Sequence, residues 1–235
     1  MGRLILAGPL VPGSRVPLTA REGHYLTRVL RLGPGAIFIG LDPEGGAFTI
    51  RLESAAAGTV LARLVEDSRE LSRPVHLFLP LLKGDKLDWT VQKSVELGAA
   101  SLTLYAARRA VPLPDNLEKK LARLEKIARQ AAQQCRRQLV PPVRGLFTLA
   151  EAAAVGPGLF AWEEETKRGL GEALADREGE VHLLTGPEGG LAGEEAALLT
   201  ESGWTGVTLG RRILRAETAA IALLTCVLYA RGEMG

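Results

Sequence analysis

From residue 75 onward, short apolar runs alternate with stretches of helical pattern, and this alternation narrows the possible folds more than any other feature of the chain. Residues 75–82 form a mainly apolar run that reads as a buried strand. Lys83-Gly84-Asp85-Lys86 then opens a helix through Trp89, Val91, Lys93, Val95, Glu96 and Leu97, which Gly98 stops, and residues 100–105 form the next strand. Two parallel strands need a crossover of a dozen residues or more, so this βαβ unit predicts a parallel sheet.

The same alternation continues to the C-terminus. Asp115, with Glu118 three residues on, reads as a capping box opening a long helix to about residue 138, where Pro141 and Pro142 stop the pattern. Leu117, Leu121, Leu124, Ala128, Ala131 and Cys135 form its apolar stripe, which makes Cys135 a packing residue rather than a nucleophile. Residues 143–147, 158–162, 181–185 and 207–209 read as further strands, giving an α/β domain of five or six strands over residues 73–235.

Residues 1–70 follow a different pattern. Strand-like runs at 36–41, 47–52 and 58–64 are separated by Pro-Glu-Gly-Gly and Glu-Ser-Ala turn signals, which predicts a small β-barrel domain. Between them, residues 19–32 read as one short helix. Arg21, His24, Arg28 and Arg31 fall within about 80° of arc at about 100° per residue, and Leu26, Val29 and Leu30 lie elsewhere. Such a basic face serves equally as a solvated surface or as an RNA-facing edge.

Charge distribution separates those uses along the chain. The net charge is only +2, yet residues 108–144 carry ten Lys or Arg against three acids, and residues 151–201 carry twelve acids against three bases. A polyanion would meet the first segment. The apolar content of 46% suffices for a large core, and the window at 213–230 is broken by Arg215 and Glu217, so it reads as a buried helix rather than a membrane span. The N-terminus carries no signal-peptide pattern, which predicts a cytoplasmic protein. Cys135 and Cys226 are far apart and His76 and His182 sit inside apolar strands, so no disulfide framework and no metal are expected.

Familiar catalytic signatures are missing. The chain has no G-x-x-x-x-G-K-[ST], no G-x-G-x-x-G after a strand, no G-x-S-x-G and no H-E-x-x-H. Two glycine-bearing segments remain, Thr185-Gly186-Pro187-Glu188-Gly189-Gly190-Leu191 and Leu209-Gly210-Arg211-Arg212-Ile213-Leu214-Arg215-Ala216-Glu217-Thr218-Ala219. Each reads as a strand tip turning into a helix, where free backbone N–H groups and glycines favour a ligand site.

Together these two segments resemble the signature of the RsmE family, SPOUT-class methyltransferases that modify N3 of a uridine in the decoding region of 16S ribosomal RNA. His24 with Val29-Leu30-Arg31 is similar to that family's N-terminal element, Lys93-Ser94-Val95-Glu96-Leu97-Gly98 resembles its K-[AS]-x-E-L-G helix, and residues 130–137 resemble a further segment. Gln130 and Gln133 stand where the family pattern has glutamates, and Ala216 where threonine is frequent.

The resemblance implies a PUA-like β-barrel, a SPOUT α/β domain with a C-terminal trefoil knot, a homodimer, and S-adenosyl-L-methionine as cofactor. It implies 16S rRNA or the 30S subunit as partner. The implied cofactor-binding residues are Leu184, Thr185, Gly186, Glu188, Gly189 and Gly190 with Leu209, Gly210, Ile213, Leu214 and Thr218. Methyl transfer needs positioning rather than a covalent intermediate. Uridine N3 must lose its proton, so Arg215 is the expected stabiliser of developing charge, with Glu217 or Glu188 to hold the guanidinium or take the proton. RNA contacts are expected from Arg21, His24, Arg28, Arg31, Lys83, Lys93, Arg108, Arg109 and Arg137. A SPOUT methyltransferase acting on another RNA or a ribose 2′-oxygen, and a non-catalytic RNA-binding ribosome-assembly factor, are the alternatives.

Overall fold

Residues 2–65, 68–175 and 177–234 are described by a computed structural model. It divides into two units, Met1–Glu70 with Ala132–Val140, and Leu71–Ala131 with Pro141–Gly235.

In the first unit, strands β1 (Arg3–Ile5), β2 (Arg15–Pro17), β3 (Ile37–Leu41), β4 (Ala47–Ser54) and β5 (Ala57–Leu64) form one sheet in the order β1-β3-β4-β5-β2. Only β1 and β3 pair in parallel; the rest is antiparallel. One face is closed by Leu4, Leu26, Phe38, Ile50, Leu52 and Val60, all buried. Helix α1 (Ala20–His24) starts at a capping box in which the Thr19 hydroxyl accepts from the Glu22 N–H and Glu22 accepts from the Thr19 N–H. Gly23 is obligatory there, because a Cβ would lie 1.8 Å from the Ala55 carbonyl oxygen.

The segment 19–32 is not one regular helix. After His24 the chain widens into a π-helical turn at Tyr25–Val29, and Arg31 takes the left-handed region at φ 54°. A wider turn rotates less per residue, so the expected single basic face is not built on 100° spacing. Val29 is exposed rather than packed.

The second unit is an α/β layer. Its strands are β6 (Val75–Pro80), β7 (Ser101–Ala106), β8 (Val143–Thr148), β9 (Gly158–Ala161), β10 (Val181–Thr185) and β11 (Thr205–Val207). Their order is β11-β9-β10-β6-β7-β8, and every pairing is parallel. Strand β10 thus sits between β6 and β9, so the loops after β9, β10 and β11 emerge side by side at one end.

The connecting helices are α2 (Lys86–Leu97), α3 (Leu117–Gln134), α4 (Leu149–Ala153), α5 (Leu170–Leu174), α6 (Gly193–Glu201) and α7 (Ala216–Ala230). Gly98 ends α2 at φ 105°, as its position predicts. Helix α3 begins one residue later than the Asp115 capping box would place it, because the Asn116 side chain takes the Lys119 N–H at 2.7 Å and so acts as the N-cap. Within the unit, Phe78, Tyr105, Phe160, Leu184, Leu191, Leu199 and Trp204 form a buried cluster.

The apolar helix α7 buries Ala216, Ala220, Leu223, Leu224, Val227 and Leu228. Cys226 and Tyr229 on its other side are exposed, Tyr229 at 72%. Among the described residues no helix is long and apolar enough to cross a membrane.

Candidate functional site

The turn after β10 is fixed from below. Tyr105, fully buried, donates its hydroxyl proton to the Thr185 carbonyl at 2.8 Å, and burial pushes its pKa well above the ordinary phenol value, so it stays a donor. The Thr185 side chain is also fully buried, with its hydroxyl unpartnered. From there the chain turns outward through Gly186 and Pro187, and the Gly190 N–H closes the turn on the Pro187 carbonyl at 2.9 Å.

Gly190 has φ +71°, and a Cβ would lie 1.8 Å from a Glu163 carboxylate oxygen. The left-handed φ favours glycine, and an added side chain would also require the Glu163 carboxylate to move. Beyond it, buried Leu191 anchors the turn, and the Glu195 carboxylate accepts from the Ala192 N–H and the Arg108 N–H, both at 2.8 Å. Glu195 therefore ties the loop after β7 to the start of α6.

The second turn follows β11. The Thr208 N–H bonds to the Arg168 carbonyl, and the Thr208 hydroxyl takes the Gly210 N–H at 3.2 Å. Gly210 sits at φ +102°, with open space where a Cβ would be. The chain then passes Arg211, Arg212 and Ile213, all exposed, Ile213 at 89%. Arg215 occupies the N-cap position of α7 with extended backbone.

Between these turns lies a cavity of about 340 Å³, within the range of small-molecule sites. Of the residues expected from the sequence, Gly186, Glu188, Gly190, Leu209, Gly210, Ile213, Leu214 and Arg215 line it. Lys86, Trp162, Glu163 and Thr208 also line it and were not anticipated. Trp162 and Glu163 follow β9, the strand between β10 and β11. The rule that ligands collect at strand C-terminal ends would have flagged them had the strand order been readable.

Lys86, on the first turn of α2, organises the charges. Its ammonium lies 3.3 Å from Glu188 and 3.6 Å from Glu217. Burial raises the Glu188 pKa, but donation from the Lys83 N–H and the Lys86 ammonium outweighs it and holds the carboxyl below its usual range. One Glu217 oxygen, Oε2, is buried without a hydrogen-bond partner.

Several expected residues lie outside the cavity lining, Glu217 among them. Leu184 and Thr185 are fully buried in the core below the cavity and form no part of its wall. Gly189 faces Arg109, whose guanidinium donates to its carbonyl at 3.1 Å, and Thr218 is exposed outside the cavity lining. Arg137 is 4% exposed and bonded to Glu70, which also accepts from the Gln138 and Leu139 N–H groups. A guanidinium spent on folding the loop around Glu70 has no surface left for RNA.

The other basic residues remain accessible. Arg21, His24, Arg28 and Arg31 are exposed in the first unit. In the second, Lys83, Arg108 and Arg109 are exposed, Arg108 paired with Glu194, and half-buried Lys93 pairs with Glu96 at 2.8 Å.

Known proteins share this arrangement. A family profile described as an RNA methyltransferase PUA domain matches residues 18–65, and one described as an RNA methyltransferase domain matches residues 69–228. The chain is 35% identical to Ribosomal RNA small subunit methyltransferase E of Synechocystis sp., over 94% of this chain and 75% of that protein. It is 34% identical to the protein of the same name from Bacillus subtilis, over 90% and 89%. The crystal structure of Ribosomal RNA small subunit methyltransferase E from Neisseria gonorrhoeae bound to S-adenosyl methionine superposes with a TM-score of 0.88 at 30% identity, covering 97% of each chain. With one profile spanning most of the α/β unit and relatives aligned along nearly the whole chain, the protein belongs to the ribosomal RNA small subunit methyltransferase E family.

Proposed function

We propose that the protein transfers a methyl group from S-adenosyl-L-methionine to N3 of a uridine in the decoding region of 16S rRNA. The observation that carries this reading is the cavity where the ends of β9, β10 and β11 meet, walled by both glycine turns and rimmed by Arg215, in a chain of this family.

The cavity suits the cofactor. Leu209, Ile213 and Leu214 offer apolar walls for a flat base, Gly210 leaves open the space a side chain would fill, and the buried Trp162 indole N–H is unpartnered and free to donate. When bound, the cofactor supplies a sulfonium methyl group for in-line displacement. Everything else falls to the chain: Gly210 admits close backbone approach, and the cavity walls position the cofactor.

For the acceptor base, the two carboxylates divide the work. Glu188 is occupied by Lys83 and Lys86 and its affinity for a proton is lowered. Glu217 keeps a buried oxygen that makes no hydrogen bond, only the longer ion pair to Lys86, and is the proposed acceptor for the N3 proton. Arg215, exposed at the rim, stabilises the charge that spreads to O2 and O4. Glu217 and Arg215 are thus the proposed catalytic pair.

The domain roles follow. Residues 1–70 form the PUA-like RNA-binding domain, with Arg21, His24, Arg28 and Arg31 as phosphate contacts; residues 73–235 form the methyltransferase domain, with Lys83, Lys93, Arg108 and Arg109. The α7 face bearing Cys226 and Tyr229 is the proposed homodimer contact, because an apolar helix seldom leaves an aromatic side chain in water without a partner. A trefoil knot through the two glycine turns and a cytoplasmic location, alongside the ribosomal substrate, complete the reading.

The deciding experiment is methyl transfer in vitro to 30S subunits and to naked 16S rRNA, with nucleoside mass spectrometry of the product. Formation of 3-methyluridine supports the proposal; a 2′-O-methylated nucleoside or no transfer to either substrate overturns it.

A further inference from the structure

At the other end of the sheet a second cluster of side chains lies apart from the cavity. His76 is the second residue of β6 and His182 the second of β10, and the two are paired in register, so they stand side by side on one face. Their rings stack with centroids 5.1 Å apart. Glu180, just before β10, brings a carboxylate oxygen to 3.4 Å from His76 Nε2. Among the described residues these three form the one group of His, Cys, Asp or Glu that could hold a metal, with one ligand atom from each lying within 4.8 Å of the others.

We propose that His76, Glu180 and His182 bind a divalent transition metal of borderline softness, zinc being the best fit, at the N-terminal edge of the parallel sheet. Two imidazoles and one carboxylate with a position left for water are a recurrent zinc set, whereas magnesium and calcium take all-oxygen sites. Metal–ligand bonds of about 2.0–2.1 Å in a tetrahedron put the ligand atoms roughly 3.3 Å apart. The His76–Glu180 edge already has that spacing.

Each histidine also carries the support a metal ligand needs. His76 Nδ1 is bonded to the Ser101 hydroxyl at 2.8 Å, which leaves Nε2 toward Glu180. A ring N–H of His182 donates to the Pro157 carbonyl, and its ring rests against Phe78 and Trp204. Such outer contacts hold both rings in orientation before any ion arrives, and the Pro157 carbonyl, which can only accept, keeps a proton on the His182 nitrogen facing it. Glu180 is largely exposed, so the site has an entry path and a side chain able to close on the ion. An ion held there would clip β10 to β6, strands far apart in sequence whose pairing places the glycine turn at the far end of β10.

The test uses the full-length protein after removal of metal with a chelator. Calorimetric titration with zinc chloride is expected to show one ion per chain and a rise in Tm. Cobalt(II) in its place should give the strong visible bands of a four-coordinate ion. Glu180→Gln and His76→Asn should each weaken zinc binding about tenfold or more, while His24→Asn, at the third histidine, should leave it unchanged. Glu180→Gln changes an exposed side chain, so its folding is not at issue. Absence of saturable one-to-one binding, or equal affinity in the parent, Glu180→Gln and His76→Asn proteins, overturns the proposal.

Discussion

The ammonium of Lys86 lies 3.6 Å from Glu217 Oε2, a buried carboxylate oxygen with no hydrogen-bond partner. An ion pair without a hydrogen bond leaves the oxygen's lone pairs available. Glu217→Gln keeps the shape and removes the acceptor. Its methylation rate should fall by about a hundredfold, within the range for a positioned general base, with cofactor affinity in calorimetry close to that of the parent. A variant with full activity would remove Glu217 from the reaction.

Arg215 stands at the N-cap of α7 with its side chain exposed at the cavity rim. Its role as a charge stabiliser predicts that Arg215→Ala lowers the single-turnover methylation rate about ten- to a thousandfold, the cost of one oxyanion-type donor, with little change in S-adenosylmethionine affinity. Equal loss of cofactor binding would make the side chain structural.

Glu188 gives a pH prediction with a definite sign. Its folded pKa lies below the ordinary carboxylate value of 4.5, since Lys83 and Lys86 outweigh burial. A depressed carboxylate stabilises the fold above the unfolded pKa, and that contribution disappears as pH falls through the lower folded pKa. Lys86→Met should therefore destabilise the protein at neutral pH relative to the parent, and the difference should shrink below pH 4.5. Denaturant midpoints of both proteins across that range measure it; a constant difference would mean that Lys86 acts through packing.

The parts of this architecture that could be read from the sequence were those set by neighbouring residues. Alternating runs revealed the parallel sheet, Gly98 the end of α2, and the two glycine segments both turns of the cavity. What escaped depends on partners distant in the chain. Trp162 and Glu163 became cavity residues only because β9 pairs with both β10 and β11. Arg137 resembles any basic helix-end residue until Glu70, 67 positions earlier, is found against it. The segment at 19–32 departs from a single regular helix for a local reason, the π-helical turn at Tyr25–Val29, which leaves no mark in a 3.6-residue pattern.

RNA affinity should show which basic residues still count. Each phosphate contact contributes a counterion-release slope of about one unit in log affinity against log salt. Arg28→Ala, at an exposed position, should reduce that slope by about one. Replacement of buried Arg137 by Gln should leave the slope unchanged while lowering stability, because a neutral amide cannot reproduce the guanidinium contacts to Glu70. Filter binding across a salt series measures the slope; a drop for the Arg137 variant equal to that for Arg28→Ala would put Arg137 back on the RNA.

Local strain and site geometry meet at Gly190. Gly190→Ala meets two obstacles, a φ of +71° and a Glu163 oxygen 1.8 Å from the new Cβ. The first costs about 1–2 kcal/mol, and the second forces the Glu163 side chain out of its place at the cavity wall. The single variant should lose both stability and S-adenosylmethionine affinity. Adding Glu163→Ala removes the collision and leaves the backbone strain, so the double variant should recover part of the stability lost by Gly190→Ala. Thermal unfolding of the four proteins in a double-mutant cycle measures that recovery; purely additive losses would show that the carboxylate moves aside at no cost and that Gly190 is required for its φ alone.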